Sequence, residues 1–165
     1  MPSDAQIRCA RVEDHGPLQP VFEELDAFHR EREPLLFRRA EADPRPPAFI
    51  ERLLRDPEST LLVAEVSDGR IVGVANVKLQ QVPDFPVLVP GRFAVIDNIA
   101  VLSSHRRQGV GRLLCLACEA WAAEHGAKWT ELKVYEFNDA ARAFYAAMGF
   151  DTALRTMRKP VTSRE

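Results

Sequence analysis

Residues 92–121 read RFAVIDNIAVLSSHRRQGVGRLLCLACEAW. The first ten, nearly continuously apolar, have the pattern of a strand buried on both faces. Past a cationic and polar turn, Leu113, Leu114, Ala117, Cys118 and Trp121 recur at helical spacing until Gly126, a natural C-terminal stop. The stretch is therefore strand, glycine turn, helix. A helix starting near Gly109 presents backbone N–H groups without acceptors and the positive end of its dipole, a pair of features that suits an anion. Glycines at 109 and 111 remove β-carbons that would hold an anion away from the backbone, and Arg106, Arg107 and Arg112 add positive charge. The Gly-Lys-Ser/Thr of a P-loop is missing, and Leu114 stands where the dinucleotide pattern G-x-G-x-x-G needs its third glycine. On these residues alone the turn is either an anion cradle or a tight strand–helix corner.

Working outward, residues 129–135 predict a further strand and 138–148 a helix closed by Gly149, with a last strand starting at Phe150. Upstream, residues 7–12 predict a strand. A helix introduced by Glu13, Asp14 and His15 runs to about Phe28, on the stripe Leu18, Val21, Phe22, Leu25 and Phe28. Residues 29–47 are charged and proline-punctuated, which predicts a loop or short helix, and residues 48–55 a short helix. Two β-rich runs flank Ser67-Asp68-Gly69-Arg70, a tight hairpin. The stretch 81–91 carries three prolines and leaves Phe85, Val87 and Leu88 exposed, as a surface loop, a lid or a dimer contact. The order β α α β β β α β α β predicts a single mixed α/β domain over residues 1–165, one twisted sheet with helices on both faces.

At 165 residues such a domain buries a core without metal or disulfide staples, and a net charge of -2 gives no reason to expect nucleic acid or an anionic membrane as partner. No signal peptide or apolar run of membrane-spanning length stands in the sequence, so a cytoplasmic protein is expected. The odd cysteine count argues against a disulfide framework. Cys115-x-x-Cys118 lies in a helical apolar pattern with no second pair, which assigns both to the core and predicts no metal.

Arg106-Arg107-Gln108-Gly109-Val110-Gly111 resembles the Q/R-x-x-G-x-G/A signature of the GNAT superfamily of acetyl-CoA-dependent N-acetyltransferases. IDNIAV before it looks like that family's fourth strand, and NDAARAFYAAMGF, residues 138–150, like its following helix. Two motifs at the family's separation and in the right structural context make the resemblance specific. It implies a mostly antiparallel sheet whose fourth and fifth strands splay apart, with acetyl-CoA as co-substrate. The backbone amides of Arg107, Gln108, Gly109, Val110, Gly111 and Arg112 would hold its pyrophosphate. The backbone of Ile99, Ala100 and Val101 would pair with pantetheine, and Asn138 would contact the coenzyme or cap its helix. A strand N–H would polarise the thioester carbonyl.

The chemistry then needs a neutral amine, an oxyanion stabiliser and an acid for the departing thiolate; attack within a ternary complex needs no protein nucleophile. Tyr145, two helical turns after Asn138, is the general acid the resemblance implies. Regular alternation places Phe93, Val95, Asp97, Ile99 and Val101 on one strand face, so Asp97 interrupts an apolar row. A carboxylate there is expected to be partly desolvated and suited to act as base. Glu65 and His29 are weaker candidates. Lys133 stands where ribosomal-protein N-terminal acetyltransferases of the superfamily carry a catalytic Glu, which argues against that mechanism. Residues 25–50, of mixed charge, are expected to build the acceptor pocket. The expected function is acetyl transfer to a primary amine of a small molecule. The alternatives are a protein or peptide lysine, another acyl group, or a catalytically silent CoA-binding sensor. A homodimer contacting through the 81–92 loop is a further expectation.

Overall fold

A computed structural model describes residues 4–161. The elements are β1 (Gln6–Cys9), α1 (His15–Arg32), α2 (Pro47–Arg55), β2 (Ser59–Glu65), β3 (Ile71–Gln81), β4 (Arg92–Val101), α3 (Val110–Glu124), β5 (Thr130–Leu132) and α4 (Asp139–Ala147), with single 3-10 turns before α1 and after β4. The chain divides into two compact units, one ending at Lys133 and one beginning at Val134.

In the first unit five strands form one sheet in sequence order, antiparallel from β1 to β4, with β5 parallel to β4. The hairpin between β2 and β3 closes as expected, with Gly69 at φ +84° and Val66 N–H donating to Arg70 O at 3.0 Å. One sheet face is covered by α1 and α2, where Leu18, Val21, Phe22 and Ile50 meet Leu61, Val63 and Val74. The other takes α3. There Gly73 lets the helix approach closely: a Cβ on it would lie 3.0 Å from Leu114 Cδ1 and 3.1 Å from the Ala100 carbonyl. Helix α3 buries Val110, Leu114, Cys115, Cys118 and Ala122 along one stripe, each large side chain contributing about 1.5–3 kcal/mol.

Cys115 and Cys118 are core residues, as their spacing in the apolar stripe implied. Burial pushes the thiols up, to about 11 and about 12. Cys9 is exposed. A thiol reagent added to the native protein is therefore expected to label Cys9 alone at a normal rate, with Cys115 and Cys118 reacting only on unfolding; comparable labelling of all three would refute this packing. Across β1 and β2, Arg8 holds Asp14 and Glu65 together, and its guanidinium is the main reason that Asp14 titrates below the usual carboxylate range.

Four expectations need correction. Helix α1 continues past Phe28 to Arg32, because the His29 ring bonds Leu25 O at 2.8 Å and packs on Phe37, so the connecting loop is shorter than 29–47. Strand β4 is not buried on both faces: only Ala94 and Ile96 are fully buried. Strand β5 has three residues rather than seven. No strand follows Phe150 among the described residues, and 151–161 are exposed.

Among its described residues the second unit contains a turn and α4, followed by the exposed stretch 151–161. Asn138 caps the helix, its side-chain oxygen accepting from Ala141 N–H at 3.1 Å, and Gly149 ends it at φ +93°. Tyr145 packs edge-on against Phe144 and Phe150.

Candidate functional site

Strand β4 carries the site because it changes partner partway along. Its parallel pairing with β5 covers only Ala94↔Thr130 to Ile96↔Leu132, the splay expected between strands four and five. At that point the register with β3 jumps from Val77↔Ile96 to Asn76↔Asn98, so Asp97 is the extra residue of a β-bulge. A bulge shifts the alternation by one. Phe93 and Val95 face α1 and α2, opposite Gln80 and Lys78, whereas Ile99 and Val101 face α3, opposite Ala75 and Gly73. The apolar row read from regular alternation is thus split between the two faces, and Asp97 does not interrupt it. Nor is Asp97 shielded as expected. Its side chain is 33% exposed and its Oδ2 lies 2.8 Å from Lys78 Nζ.

The backbone beyond the bulge is oriented by the same alternation. Leu102 N–H donates to Val72 O, so the alternate residues Ala100 and Asn98 also turn their backbone groups to β3. Ile99 and Val101 turn theirs to the side where β5 has ended. Ala100 is therefore committed to the ladder opposite Val74 and does not belong with its neighbours as an edge residue. The Val101 carbonyl is taken as well, accepting from Arg106 Nε at 2.8 Å. What the open edge offers a ligand is the N–H of Val101 and both groups of Ile99, in line with the glycine turn.

That turn is built from two left-handed residues, Arg107 at φ +59° and Gly109 at φ +89°. Nothing lies within 4 Å of a Cβ placed on Gly109, so glycine is required there by conformation and not by space. The first helical bond of α3 runs from Leu113 N–H to Gly109 O. Helix geometry leaves the N–H groups of Gly109, Val110 and Gly111 ahead of it without an intrahelical acceptor. Gly109 supplies no capping side chain, and Arg107 and Gln108 are exposed beside it. The Gln108 amide bonds back to Ser104 O. This donor set fits a pyrophosphate at the positive end of a fifteen-residue helix.

Sequence reasoning missed Glu24. From α1 its carboxylate accepts from Ser103 N–H at 2.8 Å, from Ser103 Oγ at 3.1 Å and from Arg106 at 3.3 Å, fastening the entrance of the turn. Arg106 is therefore a structural clamp and does not lend its full charge to an anion. A carboxylate one helix away carries no local pattern that would have revealed this. Glu24→Ala is expected to cost about 1 kcal/mol, since these hydrogen bonds are partly exposed, read as a lower thermal midpoint; an unchanged midpoint would remove the clamp from the account.

Between α1 and residues 37–45 lies a cleft of about 430 Å³, where sequence placed the acceptor pocket. Arg45 holds Asp26 with two bonds of 2.7 and 2.8 Å and stacks over Phe22, while Arg30 and Arg39 face Glu23. Asp43 titrates below the usual carboxylate range because the Arg45 backbone N–H and then the His15 ring donate to it. The weaker base candidates lie elsewhere: Glu65 is held by Arg8, and His29 is packed between Phe28 and Phe37. In the second unit Arg142 is occupied by Asp139 and Glu136.

The protein-family comparison matches residues 19–150 to the acetyltransferase (GNAT) family. The chain is 30% identical over 105 residues to an aminoglycoside N(6')-acetyltransferase type 1 of Klebsiella aerogenes, covering 62% of this chain and 68% of that protein. Among solved structures, a mutant of the BH1408 protein from Bacillus halodurans superposes with a TM-score of 0.89 at 27% identity, over 95% of this chain and 99% of that one. The aminoglycoside N-acetyltransferase AAC(6')-Iy in complex with CoA has the same fold, with a TM-score of 0.70 at 16% identity over 96% and 100% of the two chains. The turn at the start of α3, the splay beside it and the family match over most of the chain agree: this protein belongs to the GNAT family of acetyl-CoA-dependent N-acetyltransferases.

Proposed function

We propose that the chain acetylates a primary amine of a small molecule by direct attack within a ternary complex. The observation that carries this reading is one continuous track in the first unit, in which the bare amides of Gly109, Val110 and Gly111 lead along the open edge of Val101 and Ile99 to Asp97. In this reading the turn holds the pyrophosphate, with Arg107, Gln108 and Arg112 flanking it, and the strand edge aligns the pantetheine arm. An edge N–H polarises the thioester carbonyl. Asp97 takes the proton from the attacking amine, and Tyr145 gives one to the departing sulfur, the role that the family resemblance implies for it. The family match crosses the boundary at residue 133, which supports both units serving one acetyltransferase domain.

The likeness to aminoglycoside acetyltransferases supports a small-molecule amine, and the cleft beside α1 is of a size for one. Release of free coenzyme thiol across a panel of aminoglycosides, polyamines, amino acids and lysine peptides tests this. Turnover is expected on at least one non-peptide amine. Turnover confined to peptides would replace the small-molecule reading with a protein one, and binding of acetyl-CoA without any transfer would favour a sensor. The 82–91 loop exposes Phe85, Val87, Leu88 and Val89 together, which supports the expected homodimer, to be checked by sedimentation of the protein and of a Phe85→Glu variant.

A further inference from the structure

Lys78 sets the Asp97 pair apart from the rest of the molecule. The chain contains four lysines against eighteen arginines. Asp14, Asp26, Glu24 and Glu58 are held by guanidinium groups, and Asp43 is paired with the His15 ring. A guanidinium keeps its proton and makes a poor nucleophile, whereas an ε-amine can lose its proton and attack. Here the one primary amine among these pairs sits 2.8 Å from Asp97, the carboxylate proposed as base. Both side chains are partly exposed, 40% for Lys78 and 33% for Asp97, so the pair is weak and opens readily.

The surroundings suit chemistry more than packing. Asp97 is the bulged residue, and next to it the cross-strand pair Asn76↔Asn98 puts another polar side chain into the sheet. Asn76 is only 9% exposed and its Oδ1 has no hydrogen-bond partner. Lys78 follows Asn76 by two residues on the same face of β3. From the Val101 edge to the bulge is four residues of strand, about 13 Å at 3.3 Å per residue, a path along which an extended arm bound at the glycine turn carries its thioester towards Asp97.

We propose that Lys78 is an internal acetyl acceptor: in the absence of another amine, Nζ of Lys78 occupies the acceptor position at Asp97 and receives the acetyl group. The inference rests on the proposed roles of the strand edge and of Asp97. Asp97 takes a proton from the ammonium, the nitrogen lone pair attacks the thioester carbonyl, the C–N bond forms and the C–S bond breaks. The sulfur leaves as thiolate and takes up one of the two protons lost from nitrogen to give the free thiol, while the other proton passes to solvent. The product is a neutral amide that no longer pairs with Asp97.

Incubation of the full chain with acetyl-CoA and no added amine, followed by intact-mass and peptide analysis, tests this. One acetyl group is expected, on Lys78, with a rate constant independent of protein concentration. Lys78→Arg should abolish it, and Asp97→Asn should slow it about a hundredfold. Equal modification of Lys78, Lys128 and Lys133 at the rate of a surface lysine would overturn the proposal as mere chemical acetylation. Unmodified Lys78 in a protein that binds acetyl-CoA and acetylates an added amine would overturn the proposal alone. Failure to bind acetyl-CoA in calorimetry would overturn both this proposal and the reading it rests on.

Discussion

Asp97→Asn is expected to lower kcat for an added amine by about a hundredfold to a thousandfold, the range that a positioned general base contributes, with acetyl-CoA affinity nearly unchanged. The substitution keeps the shape and hydrogen-bonding reach of the side chain and removes only its ability to take a proton. Global stability should hardly move, because the ion pair it breaks with Lys78 is partly exposed. The amides of residues 107–112, proposed to bind the donor, lie outside the change. Steady-state kinetics with calorimetric titration of acetyl-CoA separates the two quantities. If kcat is unchanged at every pH, Asp97 is not the base and the proton leaves through water. If affinity for acetyl-CoA falls in step with kcat, the bulge is holding the donor and not the acceptor.

Gly73→Val should have the largest effect on stability, about 3 kcal/mol, and should weaken acetyl-CoA binding together with it. A Cβ at this position meets Leu114 Cδ1 at 3.0 Å, Val110 Cγ1 at 3.3 Å and, most tellingly, the backbone carbonyl of Ala100 at 3.1 Å. Side chains can turn aside, but a carbonyl in the middle of a sheet cannot. Two further methyl groups deepen the clash, and the relief available is to lift the first turn of α3, the segment that carries the bare amides. Denaturant unfolding and coenzyme titration of the same variant should therefore change together. A variant that lost stability but bound acetyl-CoA normally would show that the turn is positioned independently of the seating of α3 on β3, with Glu24 the main anchor.

The route from residues to family ran through local signals that the fold preserves. The two glycines, the apolar stripe behind them and the Asp-Gly hairpin depend on spacing and on backbone conformations that few residues adopt, so each is legible in one stretch of chain. Gly109 and Gly69 do take positive φ, Asn138 does cap α4, and Cys115 and Cys118 are buried. The start of β4 followed from its apolar run, and the extent of α3 from helical spacing and the stop at Gly126.

Beyond the reach of local pattern lay whatever depends on which strand lies alongside which. The β-bulge at Asp97 exists only as a mismatch in count between β3 and β4, and it leaves no mark in the sequence of either. That single extra residue moved Ile99 and Val101 to the opposite face from Phe93 and Val95, committed Ala100 to the ladder and brought Asp97 to Lys78. Glu24, 79 residues from Ser103, and Arg8 with Glu65, 57 apart, are ion-pair and hydrogen-bond partners of the same kind. The sequence by itself determined the family, the glycine turn at the start of α3 and the order of elements from β1 to α4, because these are set by short-range conformational preference and periodic burial. The tertiary structure alone decided which backbone groups face the open edge and what stands beside Asp97, because register and cross-strand pairing are set by summed packing over the whole sheet.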